Sequence, residues 1–166
     1  MKSKLKFALA AAILGVFILG NPRAVSAAPP ASACSLLTVA QINATLGFSV
    51  RPPIGPTPLD CLWTQVGATS PGEGKGVMLT ILGTIGKSTP LDRFNKAKKG
   101  GPLKGIPKAV SGLGDDAVYL RESSMESSQL YVKKGNFVFK IRVTGFPLEQ
   151  AEQKEKTLAQ DVLAKR

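Results

Sequence analysis

The segment that most restricts the fold of this chain runs from Gln129 to Gly145, QLYVKKGNFVFKIRVTG. Phe137, Phe139, Ile141 and Val143 alternate with Val138, Lys140, Arg142 and Thr144, the period of two that marks a half-buried strand. Leu130 and Val132 alternate with Tyr131 and Lys133 in the same way, and Gly135-Asn136 separates the two runs as a two-residue hairpin turn. Folding about that turn sets Val132 opposite Phe139, Leu130 opposite Ile141, Tyr131 opposite Lys140 and Gln129 opposite Arg142. A slip of one residue would send every apolar side chain to the wrong face. The outer face of the hairpin gathers Tyr131, Lys133, Lys140 and Arg142, one aromatic ring with three cations. Such a face can bind an anionic or polar ligand; it can equally be a solvated sheet face or one covered by a helix.

The first residues read as a secretory signal peptide. Lys2, Lys4 and Lys6 lead an uninterrupted apolar run from Phe7 to Gly20, and Val25-Ser26-Ala27 supplies small residues for a peptidase. The run is short for a membrane span, which needs about 20 apolar residues. Cleavage after Ala27 is expected, in a signal of Gram-negative type, followed by a short leader (28–33) and one domain (34–166). The product is periplasmic or secreted. Removing 27 of the 166 residues leaves 139, enough for a single domain with a real core. Lys2, Lys4, Lys6 and Arg23 leave with the signal, so 18 of the 22 basic residues face 11 acidic ones, a net charge of +7. That surplus favours anionic partners or surfaces without being a nucleic-acid signature.

Cys34 and Cys61 are the only cysteines. In an exported chain such a pair reads as a disulfide. Ala31-Ser32-Ala33-Cys34 loosely resembles a lipid-attachment site, but Cys34 lies far beyond the apolar run and the residue three before it is not leucine.

Further elements follow in order. Thr38 and Gln41 form a capping box, Val39, Ile42 and Leu46 recur at helical spacing, and Gly47 stops a helix over 39–46. Pro52, Pro53, Pro56 and Pro58 force an extended loop that leads to a strand from Cys61 to Val66. A glycine-rich connection (67–76) precedes a second strand from Gly76 to Ile85, with Val77, Leu79, Ile81 and Ile85 on one face. Thr89-Pro90-Leu91-Asp92 opens a second helix that buries Leu91 and Phe94. A Gly-, Pro- and Lys-rich loop runs to Gly114, and a third strand covers Asp116 to Arg121. After a polar turn the hairpin supplies strands four and five. The tail from Pro147 is an amphipathic helix with Leu148, Ala151, Leu158, Val162 and Leu163 on its apolar stripe, and Glu152 spaced to pair with Lys156. The expected architecture is α+β: a mostly antiparallel, five-stranded curved sheet with helices packed on it, in the order α-β-β-α-β-β-β-α.

Histidine is absent, which removes Ser-His-Asp and Cys-His nucleophile systems and ordinary zinc sites. No metal or cofactor is expected. Asp115-Asp116, the one adjacent acid pair, sits at a strand start, where neighbours point to opposite faces; turn chemistry competes there with an acid/base role. Gly86-Lys87-Ser88 resembles the end of a phosphate-binding loop whose first glycine would fall at Ile81, so the match carries no function. Lysines 96, 98, 99, 104 and 108 make the densest basic segment, suited to weak contact with an anionic membrane surface, a wall polymer or an acidic protein. Few aromatics interleave with them, which argues against nucleic acid.

Several stretches together carry a family resemblance. They are Cys34-Ser-Leu-Leu-Thr with Leu46-Gly47, Cys61-Leu-Trp63, Val110-Ser-Gly-Leu-Gly-Asp-Asp-Ala-Val-Tyr119, Leu130-Tyr-Val-Lys-Lys-Gly-Asn136, and Glu155 to Lys165. The chain resembles a group of small exported bacterial domains of unknown function, many of them lipoproteins. It is also similar to extracytoplasmic sensor domains of some bacterial Ser/Thr kinases. The resemblance implies an α+β fold and a ligand- or partner-binding role, with no catalytic residues to carry over. The expected function is an exported, non-enzymatic binding or sensor-like module for a small ligand, envelope polymer or protein. The alternatives are an envelope-associated structural protein held by its basic loop and a histidine-free enzyme using Asp115 or Asp116.

Overall fold

The computed structural model describes residues 32–68, 74–102, 105–122 and 127–166. The expected signal peptide, most of the leader, Lys104 and parts of the loops at 67–76 and 122–128 lie outside the described residues. Six strands form one antiparallel sheet: β1 (Asp60–Thr64), β2 (Gly76–Ile81), β3 (Ile106–Val110), β4 (Asp116–Glu122), β5 (Ser127–Lys134) and β6 (Phe137–Thr144), in the spatial order β1-β2-β6-β5-β4-β3. Three helices accompany it: α1 (Val39–Leu46), α2 (Pro90–Lys98) and α3 (Leu148–Leu163). A 3-10 turn over Ala33–Ser35 comes before α1.

The fold is α+β, but the expected five-stranded sheet and the order α-β-β-α-β-β-β-α are wrong. The missing strand, β3, lies in the Gly-, Pro- and Lys-rich stretch read as a loop. Four of its five residues are exposed and Pro107 lies among them, so no apolar alternation marks it. It pairs with β4 at the sheet's border, a position where proline is tolerated.

The hairpin has the expected register at Leu130–Ile141, Tyr131–Lys140 and Val132–Phe139. Its paired run ends at Leu130–Ile141, and Gln129 pairs with Leu120 of β4 instead of facing Arg142 in the ladder. The next opening of that ladder is filled from α3: the Glu155 carboxylate accepts the Val143 amide (2.9 Å) and bonds the Ser128 hydroxyl (3.0 Å).

Both short helices begin where their capping residues dictate. Thr38 accepts from the Gln41 amide and Gln41 from the Thr38 amide; Thr89 and Asp92 repeat the arrangement on α2. α1 buries Ile42 and Leu46 and ends at Gly47, which takes a left-handed φ of 82°. On α2, Phe94 is buried as expected, but its helical partner is Ala97, and Leu91 is 47% exposed. β2 also ends sooner than its apolar run, at Ile81, leaving Ile85 64% exposed.

Period-two alternation divides the sheet into two faces. Trp63, Leu79, Leu130, Val132, Phe139 and Ile141 form the larger core with Ile42 and Leu46 of α1 and with Leu158 and Val162 of α3. The Cys34–Cys61 disulfide pins the 3-10 turn to β1 on this side, rather than α1 itself. The opposite face carries a smaller cluster, Leu82, Val118 and Val138 under Phe94 and Ala97 of α2.

The loop entering β4 clasps the hairpin turn. Asp115 donates its amide to the Lys133 carbonyl (2.8 Å), and its carboxylate accepts from the Gly135 amide (2.6 Å) and the Lys134 ammonium (3.1 Å). Gly114 just before it has φ +62°, and a Cβ there would strike the Lys133 carbonyl oxygen. Gly114→Ala is therefore expected to cost about 2 kcal/mol or more. Gly135→Ala, with a similar φ but open space around it, costs about 1 kcal/mol. Urea unfolding of the two variants checks the ranking.

Candidate ligand-binding site

The site lies on the sheet face that α2 only partly covers. Alternation along β5 and β6 puts Tyr131, Lys133, Lys140 and Arg142 there, and α2 lies over this side of the sheet. Beside the buried Phe94, α2 leaves a half-open cleft of about 390 Å³. Tyr131 and Lys140 line it from the strands, Arg93 and Lys96 from the helix, and Leu82 and Ala97 give it apolar walls. Ile85 stands at the same cleft.

Lys133 and Arg142 do not join them. Lys133 lines a neighbouring depression of about 540 Å³ with Leu91, Asn136 and Val138. Arg142 donates from Nη2 to the Ser127 hydroxyl (3.2 Å), while its Nε is buried with no partner among the described residues. Sequence reading missed Arg93. Its signal was its spacing: it stands beside Phe94 and four residues before Ala97, so it flanks the helix face that packs on the sheet.

The electrostatics of the cleft are one-sided. Lys140 has one hydrogen bond, to the Gln129 side-chain oxygen (3.3 Å), and Gln129 in turn donates to Glu122 (2.9 Å). Arg93 donates to the Gly83 carbonyl (3.1 Å). Burial pushes the Lys140 ammonium below the usual lysine range, and the Arg93 guanidinium pushes it further the same way. Burial also raises the Tyr131 hydroxyl, which stays protonated at neutral pH and can donate to a ligand.

A second group of polar side chains lies under α3. Arg121 makes a two-pronged ion pair with Glu152 (2.6 and 2.9 Å), Lys108 of β3 adds a third contact (2.9 Å), and the Tyr119 hydroxyl donates to the Glu152 backbone carbonyl. Burial alone would raise Glu152, but Arg121 and Lys108 outweigh it and hold the carboxyl below the usual range. Glu152 thus takes its partners from the sheet, not from Lys156 as its spacing suggested. Glu155 has no cation in hydrogen-bond contact. Burial pushes its carboxyl up to about 8, against the opposing bonds from Val143 and Ser128. Ser128 and Glu155 are both 0% exposed, so this pair meets no substrate and is structural.

Asp115 and Asp116 do not face one cleft. Asp115 is held below the usual carboxylate range by the Gly135 amide and then by Lys134, and Asp116 is paired with Lys98 (2.6 Å). Within the basic segment, Lys98 and Lys108 are thereby engaged inside the domain. Among the described residues no three His, Cys, Asp or Glu side chains stand close enough to hold a metal ion. No helix among them is long and apolar enough to cross a membrane.

No family model matches the chain, and no match is found among curated proteins or solved structures. The resemblance to small exported bacterial domains thus rests on the sequence motifs alone. What the structure defines directly is a small, disulfide-stapled α+β domain whose described residues include a cationic cleft between α2 and the sheet.

Proposed function

We propose that this domain is an exported, non-enzymatic binding module that holds a small ligand between α2 and the sheet. The observation that carries the reading is the composition of the cleft. Side chains from two separate elements converge on one concave, partly apolar space and bring polar groups to it, as ligand sites do. Tyr131 supplies a rigid ring with a hydroxyl, and Lys140 a charge held in place by the Gln129–Glu122 chain. The polar pairs under α3 and at the hairpin turn, by contrast, are consumed by the fold itself.

Native mass spectrometry on protein purified from the exported fraction of its host tests the proposal. A retained small molecule is expected, and it is lost from Tyr131→Ala while the variant unfolds cooperatively like the parent. Protein that arrives empty, together with no change in ligand-induced melting for Tyr131→Ala across a metabolite panel, would refute it.

A further inference from the structure

We infer that the ligand of this cleft is an amphipathic oxyanion, a small apolar body bearing one carboxylate or phosphate group. The oxyanion sits among Arg93, Lys96 and Lys140, and the apolar body lies against Leu82, Ala97 and Ile85. This deepens the binding-module reading and depends on it.

Four cations outside the cleft are matched to carboxylates within the fold. Glu152 takes Arg121 and Lys108, Asp116 takes Lys98, and Asp115 takes Lys134. Each of those cations meets a carboxylate within 3.1 Å. The three cations of the cleft form no ion pair with any described residue, and no described carboxylate lines the space. The nearest acids act on Lys140 only through their fields: Asp60 is bonded by Thr57 and Thr80, and Glu122 by Gln129. Like charges gathered at a partly desolvated site repel one another, and an anion relieves all three at once.

Hydrogen-bonding capacity points the same way. An ammonium has three donors and a guanidinium five. Lys140 uses one on a neutral amide and Arg93 one on a carbonyl. The unused donors come from two directions, helix and strand, which is the arrangement that selects several oxygens on one centre over a single carbonyl. The remaining walls are hydrocarbon. Leu82 and Ala97 are buried at the base, and Ile85 is one of the most exposed large apolar side chains of the domain. A bare inorganic anion would leave that surface wet; an apolar extension covers it.

Calorimetric titration and melting curves with four six-carbon probes test the assignment: hexanoate, hexyl phosphate, hexanol and hexylammonium. At least one oxyanion is expected to bind saturably, at least ten-fold more tightly than hexanol, and hexylammonium not at all. The ratio of hexanoate to hexyl phosphate tells a carboxylate ligand from a phosphate one. Arg93→Gln and Lys140→Gln should each weaken the preferred oxyanion ten-fold or more. Lys96→Gln, on the exposed side of the helix where packing cannot suffer, should weaken it by a smaller factor and steepen no unfolding transition. Equal binding of hexanol, or binding of hexylammonium, overturns the oxyanion assignment while leaving a binding module. Failure of all four probes, with a ligand still retained from the host and lost in Tyr131→Ala, also overturns the assignment alone. Failure of all four with no retained ligand removes both.

Discussion

Glu155→Gln makes the domain more stable at pH 8 and abolishes most of its pH dependence between pH 5 and 8. The carboxyl of Glu155 is 0% exposed, and burial lifts it from an ordinary value of 4.5 to about 8. Between those values the folded protein keeps a proton that the unfolded chain has released. Stability rises with pH only where the unfolded state binds more protons, so here it falls as pH climbs from about 4.5 and levels off past about 8. Each pH unit inside that window costs up to about 1.4 kcal/mol, and relaxation of the site makes the total a few kcal/mol at most. Glutamine copies the protonated acid: its oxygen accepts the Val143 amide and its NH₂ donates to the Ser128 hydroxyl. The variant should therefore match the parent near pH 5 and exceed it by about 1–4 kcal/mol at pH 8. Urea unfolding at pH 5, 6.5 and 8 reads this directly, and the absence of histidine removes the side chain that ordinarily titrates in the range. A flat profile for the parent, or a glutamine variant weaker at pH 8, would show the carboxylate charged in the folded state.

Opening the disulfide has the second large effect. Cys34 and Cys61 are 27 residues apart, and closing a loop of that length removes enough unfolded-state freedom to stabilise by about 3–4 kcal/mol. The contribution is local as well. Without the bridge, the long-range polar contacts of the 3-10 turn are the Ala33 amide to the Pro58 carbonyl (2.8 Å), just before β1, and the Lys165 ammonium to the Ser35 carbonyl (3.3 Å). The Cys34→Ala/Cys61→Ala double variant should melt roughly 10 °C lower than the parent. The parent in strong reductant should move by a similar amount and the variant should not respond to reductant. A shift of only a degree or two would mean that the turn is held by packing alone.

The hairpin, the capping box of α1, the proline- and aspartate-marked start of α2 and the apolar stripe of the last helix could be read from the chain because each rests on contacts close in sequence. Phe137 to Val143 alternates strictly, and Thr38/Gln41 and Thr89/Asp92 each form a closed pair three residues apart. The border strand β3 was invisible for the opposite reason. Its place is set by backbone pairing to β4, while its side chains face water and obey no period. Glu152 was assigned to a surface pair with Lys156 and Glu155 to no role, because charges on a helix normally mark its wet side. Only the tertiary positions of Arg121, Ser128 and Val143 turn those two positions inward. The site was half legible. Alternation placed Tyr131 and Lys140 together, yet the strand pattern cannot say which part of that face a helix will cover. α2 therefore divided Lys133 from Lys140 and brought in Arg93.

The two borders of the sheet have a bearing on how this domain behaves when crowded. On one side Ile54 exchanges both backbone bonds with Leu62 and Arg51 donates to Thr64, so the proline-rich segment already occupies the outer rim of β1. On the other, Pro107 removes a donor and Lys108 sets a charge in the middle of the rim. Neither rim offers a second molecule an unbroken row of amides and carbonyls, so strand-to-strand polymerisation has no template. Resistance to edge-to-edge assembly is thus a property of the backbone at both rims, independent of the side chains that cover the faces.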